Sequence, residues 1–231
     1  MNKNLSEDQV QIDKLLNKQQ TELRQVMMSF DQHDKAIQLF ITQHAMLHSV
    51  NMAQSELWSF EDEVLNDMAE VQIRRIPQSC EHSVAWCIWH IARIEDVTMN
   101  LLVAGSSQIL YRGNWLERMK ITVRDTGNEM DEEEMATLGA TIDIEALRAY
   151  RMAVGRRTRE IVQQLEPEEL KQQVDPIRVQ QVMDEGVVVE EAIAIANYWS
   201  RRNIAGLLLM PATRHNLVHL NEALRLKRRR Q

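Results

Sequence analysis

The stretch SVAWCIWHIARIEDVTMNLLVAG, residues 83–105, decides the fold. Ser83 is a residue type whose side-chain oxygen caps a helix N-terminus, and Gly105 suits the left-handed turn that ends one. Between them, apolar residues surround nearly the whole first half instead of keeping to one stripe, as a helix buried on several sides requires. Such a segment belongs at the centre of a helical fold. It nevertheless carries His90 in the middle of W-C-I-W-H-I-A, where an unpaired imidazole is costly unless a hydrogen bond or a metal answers it.

Outward from this helix the chain keeps to the same class. Its 231 residues, 44% hydrophobic and 26% charged, suit one globular domain with or without an appendage and exclude general disorder. Only 7 Gly and 4 Pro are too few for an all-β fold that needs a turn every ten residues or so. Towards the N-terminus, Asp34 to about Met52 reads as a helix through Ile37, Phe40, Ile41, Leu47 and Val50. Residues 1–33 carry a thin stripe of Val10, Ile12, Leu15, Leu16 and Leu23, as an accessory helix or arm would. Ser59, followed three residues later by Asp62, signals a short capped helix ending before Pro77. Towards the C-terminus, residues 106–134 mix Gly113, Gly127 and an acidic run, D-E-E-E at 131–134, read as the first turn of a helix. Ile142 to Leu165 then forms a third long helix. Glu190 to Arg202 and Pro211 to Lys227 follow as helices, with Pro211 fitting the first turn of the last. The expectation is an all-α four-helix bundle, residues 34–231, with long connections and the accessory arm at 1–33, and without internal repeats.

Charge and cysteine content exclude several functions. Lys and Arg total 27 against 34 Asp and Glu, a net charge of -7 and a pI near 5.6, opposite to the basic footprint of a nucleic-acid binder. The terminal R-L-K-R-R-R-Q, residues 225–231, reads as a solvated tail. Cys80 and Cys87 cannot build a disulfide framework, fit no zinc-ribbon spacing, and are read as reduced thiols. No apolar run approaches the roughly 18 residues of a membrane span, and MNKNLSEDQV lacks the apolar core of a secretory signal. The expected location is cytoplasmic, with no membrane or nucleic-acid partner.

The histidines point to chemistry. Of the seven, four fall as i,i+4 pairs, His44 with His48 and His215 with His219, each placing two imidazoles on one helix face. Two neutral imidazoles with a third ligand from another helix make an open facial metal site, and His90 is the obvious third. His215 and His219 share their face with Ala212, Val218 and Leu226, so both are expected to point inward. The plainer reading of any one inward histidine is a hydrogen-bonded core residue. Asn216 stands where the H-E-x-x-H motif has its glutamate, which argues against a metalloprotease. No glutamate stands three residues before any histidine, which argues against a di-iron bundle and for a mononuclear site.

The helix SVAWCIWHIARIED resembles the second helix of DinB-like proteins, a superfamily that includes bacillithiol and mycothiol transferases and the N-terminal domains of ergothioneine-forming sulfoxide synthases. Those proteins carry one histidine there and an H-x-x-x-H pair on their last helix, which R-H-N-L-V-H-L-N-E-A, residues 214–223, matches in spacing and place. The resemblance covers about residues 34–227. It implies a four-helix bundle holding one divalent ion, usually zinc or nickel, on His90, His215 and His219, with positions left for water or a thiolate. Many thiol transferases of the family continue with H-R-G-Q after the last histidine, whereas this chain has His219, Leu220, Asn221 and Glu222, a departure that bears on any low-molecular-weight thiol cofactor.

Around this centre, His44 and His48 share a face with Ile37 and Ile41 and are candidates to line the pocket, as ligand, proton shuttle or substrate contact, or else to pack. Cys87, one turn before His90, is a small buried hydrophobe or a metal-proximal thiol. Glu222, three residues beyond His219, can orient an imidazole or handle a proton, or lie half exposed. Arg151 can meet an anionic substrate group or snorkel. The function expected is that of a metal-dependent enzyme that activates a thiol or water for transfer to, or hydrolysis of, a small electrophilic substrate. The alternatives are a metal- or small-molecule-binding stress-response protein without turnover, or a purely structural bundle. The arm and the insert at 106–134 are expected to form a lid or a homodimer contact.

Overall fold

The computed structural model describes residues 7–78, 80 and 82–229, with side chains from Lys14 onward except that of Phe30. The side chains of Val10 and Ile12, the first six residues, and Arg230 and Gln231 of the basic tail lie outside the described residues. Five helices organise the chain: α1 (Glu7–Val26), α2 (His33–Leu47), α3 (Val84–Asp96), α4 (Ile144–Gln163) and α5 (His215–Arg228). Short helices fill the connections, and among the described residues the only β pairing is an isolated bridge between Gln173 and Asn203. None of the helices is long and apolar enough to cross a membrane.

The central helix forms as its sequence dictates. The Ser83 hydroxyl accepts from the Trp86 N–H, and all 13 residues of α3 are buried. The helix then widens into a π-type segment, Val97–Val103, before Gly105 turns the chain at φ 59°. α4 and α5 pack along α3, while α1 packs on α2. One apolar cluster gathers Trp86, Trp89, Tyr150, Leu217, Leu220 and Leu224. A second, beyond it, gathers Phe40, Ile94, Leu102, Val162, Trp199 and Leu207. In the arm, Leu16 and Leu23 are buried and Leu15 is exposed.

Burying all of α3 obliges its polar side chains to find partners. Arg93 donates to Asp96, Tyr150, Gln108 and the Arg124 carbonyl. Asp96 accepts in addition from the backbone N–H groups of Ile109 and Leu110. This cluster ties the insert after residue 105 to the core. Within that insert, Asp131 and Glu134 form a capping box for the helix Glu132–Thr141, so the acidic run does begin a helix. Ser59 likewise caps Phe60–Leu65, and a second short helix, Glu70–Arg74, precedes Pro77.

Two helix boundaries differ from expectation. α2 stops at Leu47, where His48 turns extended at φ -116°, and Ser49 starts a separate turn, Val50–Ala53. The Leu47 carbonyl that this break releases accepts from Arg151 Nη2. The last helix, α5, begins at His215 and not at Pro211, which sits inside a wide turn, Met210–Arg214, that joins the short helix Ile204–Leu209 to α5. Proline removes a backbone donor there. The Thr213 hydroxyl, at 3.0 Å from the carbonyls of Leu208 and Leu209, takes up acceptors in that turn, so the chain continues without a full break.

Gly155 of α4 is required by packing. A Cβ there would lie 2.8 Å from His48 Nδ1 and 3.0 Å from Met52 Cγ, and the His48 ring is fixed by its bond to Glu95. Gly155→Ala gains about 1 kcal/mol of helix propensity but overpacks the core at about 1–3 kcal/mol. The expected net result is a lower urea midpoint with an unchanged slope; equal or higher stability would mean that the His48 ring can move aside.

Candidate metal centre

His90 projects from the middle of α3, and His215 and His219 project from the first two turns of α5. Packing of α5 along α3 brings the three rings together, with centroids 5.0 Å apart for His90 and His215, 4.8 Å for His90 and His219, and 4.6 Å for His215 and His219. One nitrogen of each lies within 4.8 Å of the others. A tetrahedral ion with nitrogens at about 2.0–2.1 Å draws its donors to roughly 3.3 Å, a closure within reach of side-chain rotation. His90 is buried, and the other two are half-buried. Of the residues named as sharing their face, Ala212 and Leu226 are buried but Val218 is exposed.

The outer nitrogens of two rings are already committed. His90 Nδ1 lies 2.6 Å from the Thr126 carbonyl oxygen, an acceptor only, so Nδ1 carries the proton and Nε2 keeps its lone pair. His219 Nδ1 lies 2.9 Å from Glu222 Oε2, with the same consequence. Burial, and then the neighbouring His219, lower the His90 pKa to about 3. Burial, with His90 and His219, holds His215 well below its usual value. His90 and His215 are therefore neutral near pH 7, the form that ligates a metal.

Thr126 was not legible as a site residue, because it contributes a carbonyl and any residue type can do that. Its loop is fixed by Gly127, at φ 73°, where a Cβ would stand 2.4 Å from the Trp89 ring. His82 was also missed. It stacks on Trp86 at 3.7 Å, Trp86 stacks on His90 at 4.5 Å, and His82 Nδ1 lies 2.7 Å from Glu222 Oε1. The four-residue spacing of positions 82, 86 and 90 was the available signal. Glu222 is thus shared by His82 and His219. Burial would raise its pKa, but the hydrogen bonds from His219 and His82 prevail and hold it below the ordinary carboxylate range.

Two other clusters offer ligand-type atoms. His44 Nε2 and His48 Nε2 lie 2.8 and 3.0 Å from the two oxygens of Glu95, and Asn216 Nδ2 donates to Glu95 at 2.8 Å. Burial would raise the Glu95 pKa, but His48 and His44 hold it well below the usual value. Burial, and next the Arg151 charge, lower His48 to about 3. Glu95 is therefore a carboxylate held by the His44 and His48 rings and the Asn216 amide. The Nδ1 atoms of His44 and His48 have no hydrogen-bond partner. Both Nε2 atoms are already engaged with the Glu95 carboxylate, and an ion on them would cost both hydrogen bonds. This cluster reads as packing. The third cluster adds Cys87 to His219 and Glu222. Burial, and then Glu222, push its thiol pKa well up, so it stays protonated and ligates poorly.

Arg151 neither snorkels nor faces an open pocket. Fully buried, it donates to Glu61 at 2.6 Å, to the Leu47 carbonyl at 3.0 Å and to Asn216 at 3.5 Å. His44 and His48 are likewise consumed within the core. The open space lies on the other side: a cavity of about 330 Å³ lined by Ile94, Asn128, Ile195, Trp199, Pro211 and His215, among others.

Two outcomes follow for the metal-free protein. Unfolded His48 and His90 titrate near 6.5 but near 3 when folded, so the unfolded state binds more protons as pH falls across that window, and stability declines. Glu95 adds a loss below about 4.5. The thermal midpoint should fall steadily from pH 6.5 to 4; a flat profile contradicts the buried neutral rings. Secondly, a maleimide should label half-buried Cys80 at least about ten times faster than Cys87, read by mass spectrometry, and equal rates would show that Cys87 is accessible.

Comparison with known proteins adds three findings. The sequence pattern of the DinB superfamily matches residues 56–205, a span that includes His90 and stops before His215. No curated protein matches the chain. A solved structure described as the crystal structure of the conserved protein of locus from Enterococcus faecalis is similar in fold, with a TM-score of 0.55 at 19% identity, covering 83% of this chain and 95% of that one.

Proposed function

This chain belongs to the DinB superfamily, and from that premise we propose that His90, His215 and His219 hold one divalent ion, zinc or nickel, at which a thiol or water is activated against a small electrophile. The observation that carries the reading is the commitment of His90 Nδ1 to the Thr126 carbonyl and of His219 Nδ1 to Glu222. It leaves the Nε2 lone pairs of both rings free, and one nitrogen of each ring lies within 4.8 Å of one on His215. Bound there, the ion would supply a Lewis acid that lowers the pKa of a thiol or water at neutral pH.

The chain's own residues do the rest. Thr126 and Glu222 fix the tautomers and aim the rings, and the Glu222 carboxylate makes His219 a stronger donor. The apolar lining beside His215 limits water near the site. Burial pushes the Cys87 thiol pKa up, which favours a nucleophile other than Cys87. Whether the nucleophile is a low-molecular-weight thiol or water is read by turnover of an electrophile with and without added thiol. In place of the H-R-G-Q run, Leu220 is buried and Asn221 donates to the Leu217 carbonyl, which favours water or a thiol held by other residues.

Protein purified without a histidine tag should carry about one divalent ion per chain by elemental analysis. His90→Ala, His215→Ala and His219→Ala should each lose most of it, and Glu222→Gln should weaken affinity about tenfold or more. Cys87→Ser should keep the ion. Full occupancy in His215→Ala would place the ion elsewhere and end this reading.

A further inference from the structure

Two cavities adjoin at Tyr198 and Met210. The first is the apolar one of about 330 Å³, walled by Ile94, Ala194, Ile195, Trp199, Pro211 and His215. The second, of about 570 Å³, is lined by Arg24, Arg202 and Arg214 together with Gln20 and Thr21. Tyr198 and Met210 line both, so the two adjoin there, polar on one side and apolar on the other, and a molecule spanning both would fill them as one groove.

The arginines converge from separate parts of the chain. Arg24 comes from the last turn of α1, Arg202 follows the helix Ile193–Ser200, and Arg214 ends the wide turn before α5. Among the described residues, no Asp or Glu lines that end. The Arg202 guanidinium lies 4.1 Å over the Tyr198 ring, and Arg214 donates to Asn17 at 2.7 Å, a neutral partner that leaves its charge unpaired by that bond. Three like charges gathered without a lining carboxylate repel one another, and an anion placed among them removes that repulsion. On a chain of net charge -7 this is a local field of opposite sign, which focuses anions. Guanidinium also offers the forked donors that fit carboxylate, sulfonate and phosphate oxygens. The contrast with Arg93 and Arg151 is plain, since both are buried and spend their donors on internal acceptors.

We infer that this groove binds a small molecule with an anionic head on an apolar body. The head lies among Arg24, Arg202 and Arg214, and the body passes Tyr198 and Met210 into the apolar cavity with its far end against His215. The inference deepens the reading of His90, His215 and His219 as a reaction centre by giving its substrate a chemical class. It also stands without the ion, because the groove exists in the polypeptide alone.

The test uses two fluorescent probes with closely similar aromatic bodies, the anionic anilinonaphthalene sulfonate and the uncharged phenylnaphthylamine. Each is titrated into the full chain after chelator treatment and again after metal loading. The anionic probe should bind about fivefold to tenfold more tightly, with its advantage shrinking as salt rises. The triple variant Arg24→Gln, Arg202→Gln, Arg214→Gln should erase that advantage and leave the uncharged probe unchanged, and Ile195→Asp should weaken both. Circular dichroism checks that the variants are folded, and each arginine replaced singly serves if the triple variant is not. Unchanged anionic affinity in the arginine variants, or unchanged affinity for both probes in Ile195→Asp, overturns the inference. Loss of metal in the histidine variants is read separately, so a failed metal site and a failed groove give different results.

Discussion

The carboxylate of Glu95, buried in the last turn of α3, is the group around which the other helices are arranged. A lone carboxylate at that depth costs several kcal/mol, and the fold offsets this with three donors drawn from two other helical regions: His44 from α2, His48 from just beyond its end, and Asn216 from α5. Arg151 of α4 reaches the same network through Asn216 and closes it on Glu61. One buried anion thus fixes the mutual position of four helices. Apolar packing alone tolerates sliding by a fraction of a turn, but hydrogen bonds of about 2.8–3.0 Å do not.

The histidine centre inherits its geometry from that network. His90 lies five residues before Glu95 on α3, and His215 is the immediate neighbour of Asn216 on α5. Anchoring Glu95 to Asn216 therefore sets the register that brings His215 and His219 opposite His90. The loop carrying Thr126 is held in turn by Arg93, whose guanidinium donates to the Arg124 carbonyl. The two clusters of histidine then divide the work. In one, the Nδ1 atoms of His90 and His219 have acceptors and their Nε2 atoms stay free; in the other, the Nε2 atoms of His44 and His48 are spent on a carboxylate.

Much of this was legible before folding. The capped helix around His90 with its apolar first half, the i,i+4 pair at 215 and 219, and the acidic capping run at 131 all rest on local spacing, and local spacing survives in the structure. The i,i+4 pair at 44 and 48 was equally legible but ambiguous. Nothing in its spacing tells whether Nε2 meets a carboxylate or open space, and the helix itself breaks at His48. Arg151 was misjudged for a related reason. A helical stripe shows which way an arginine points, but not that Glu61, ninety residues earlier, waits there.

The sequence by itself determined the helical class, the central place of residues 83–105 and the identity of the three converging histidines, because periodicity, caps and residue type are local properties that the chain carries in any context. Only the tertiary structure decided that Thr126 and Glu222 hold the outer nitrogens, that Glu95 consumes the other histidine pair, and that Arg24, Arg202 and Arg214 share a groove. Those facts depend on which distant backbone and side-chain atoms arrive at the same point. The burial of α3 and the need to answer each polar group within it settle that only once the whole chain has packed.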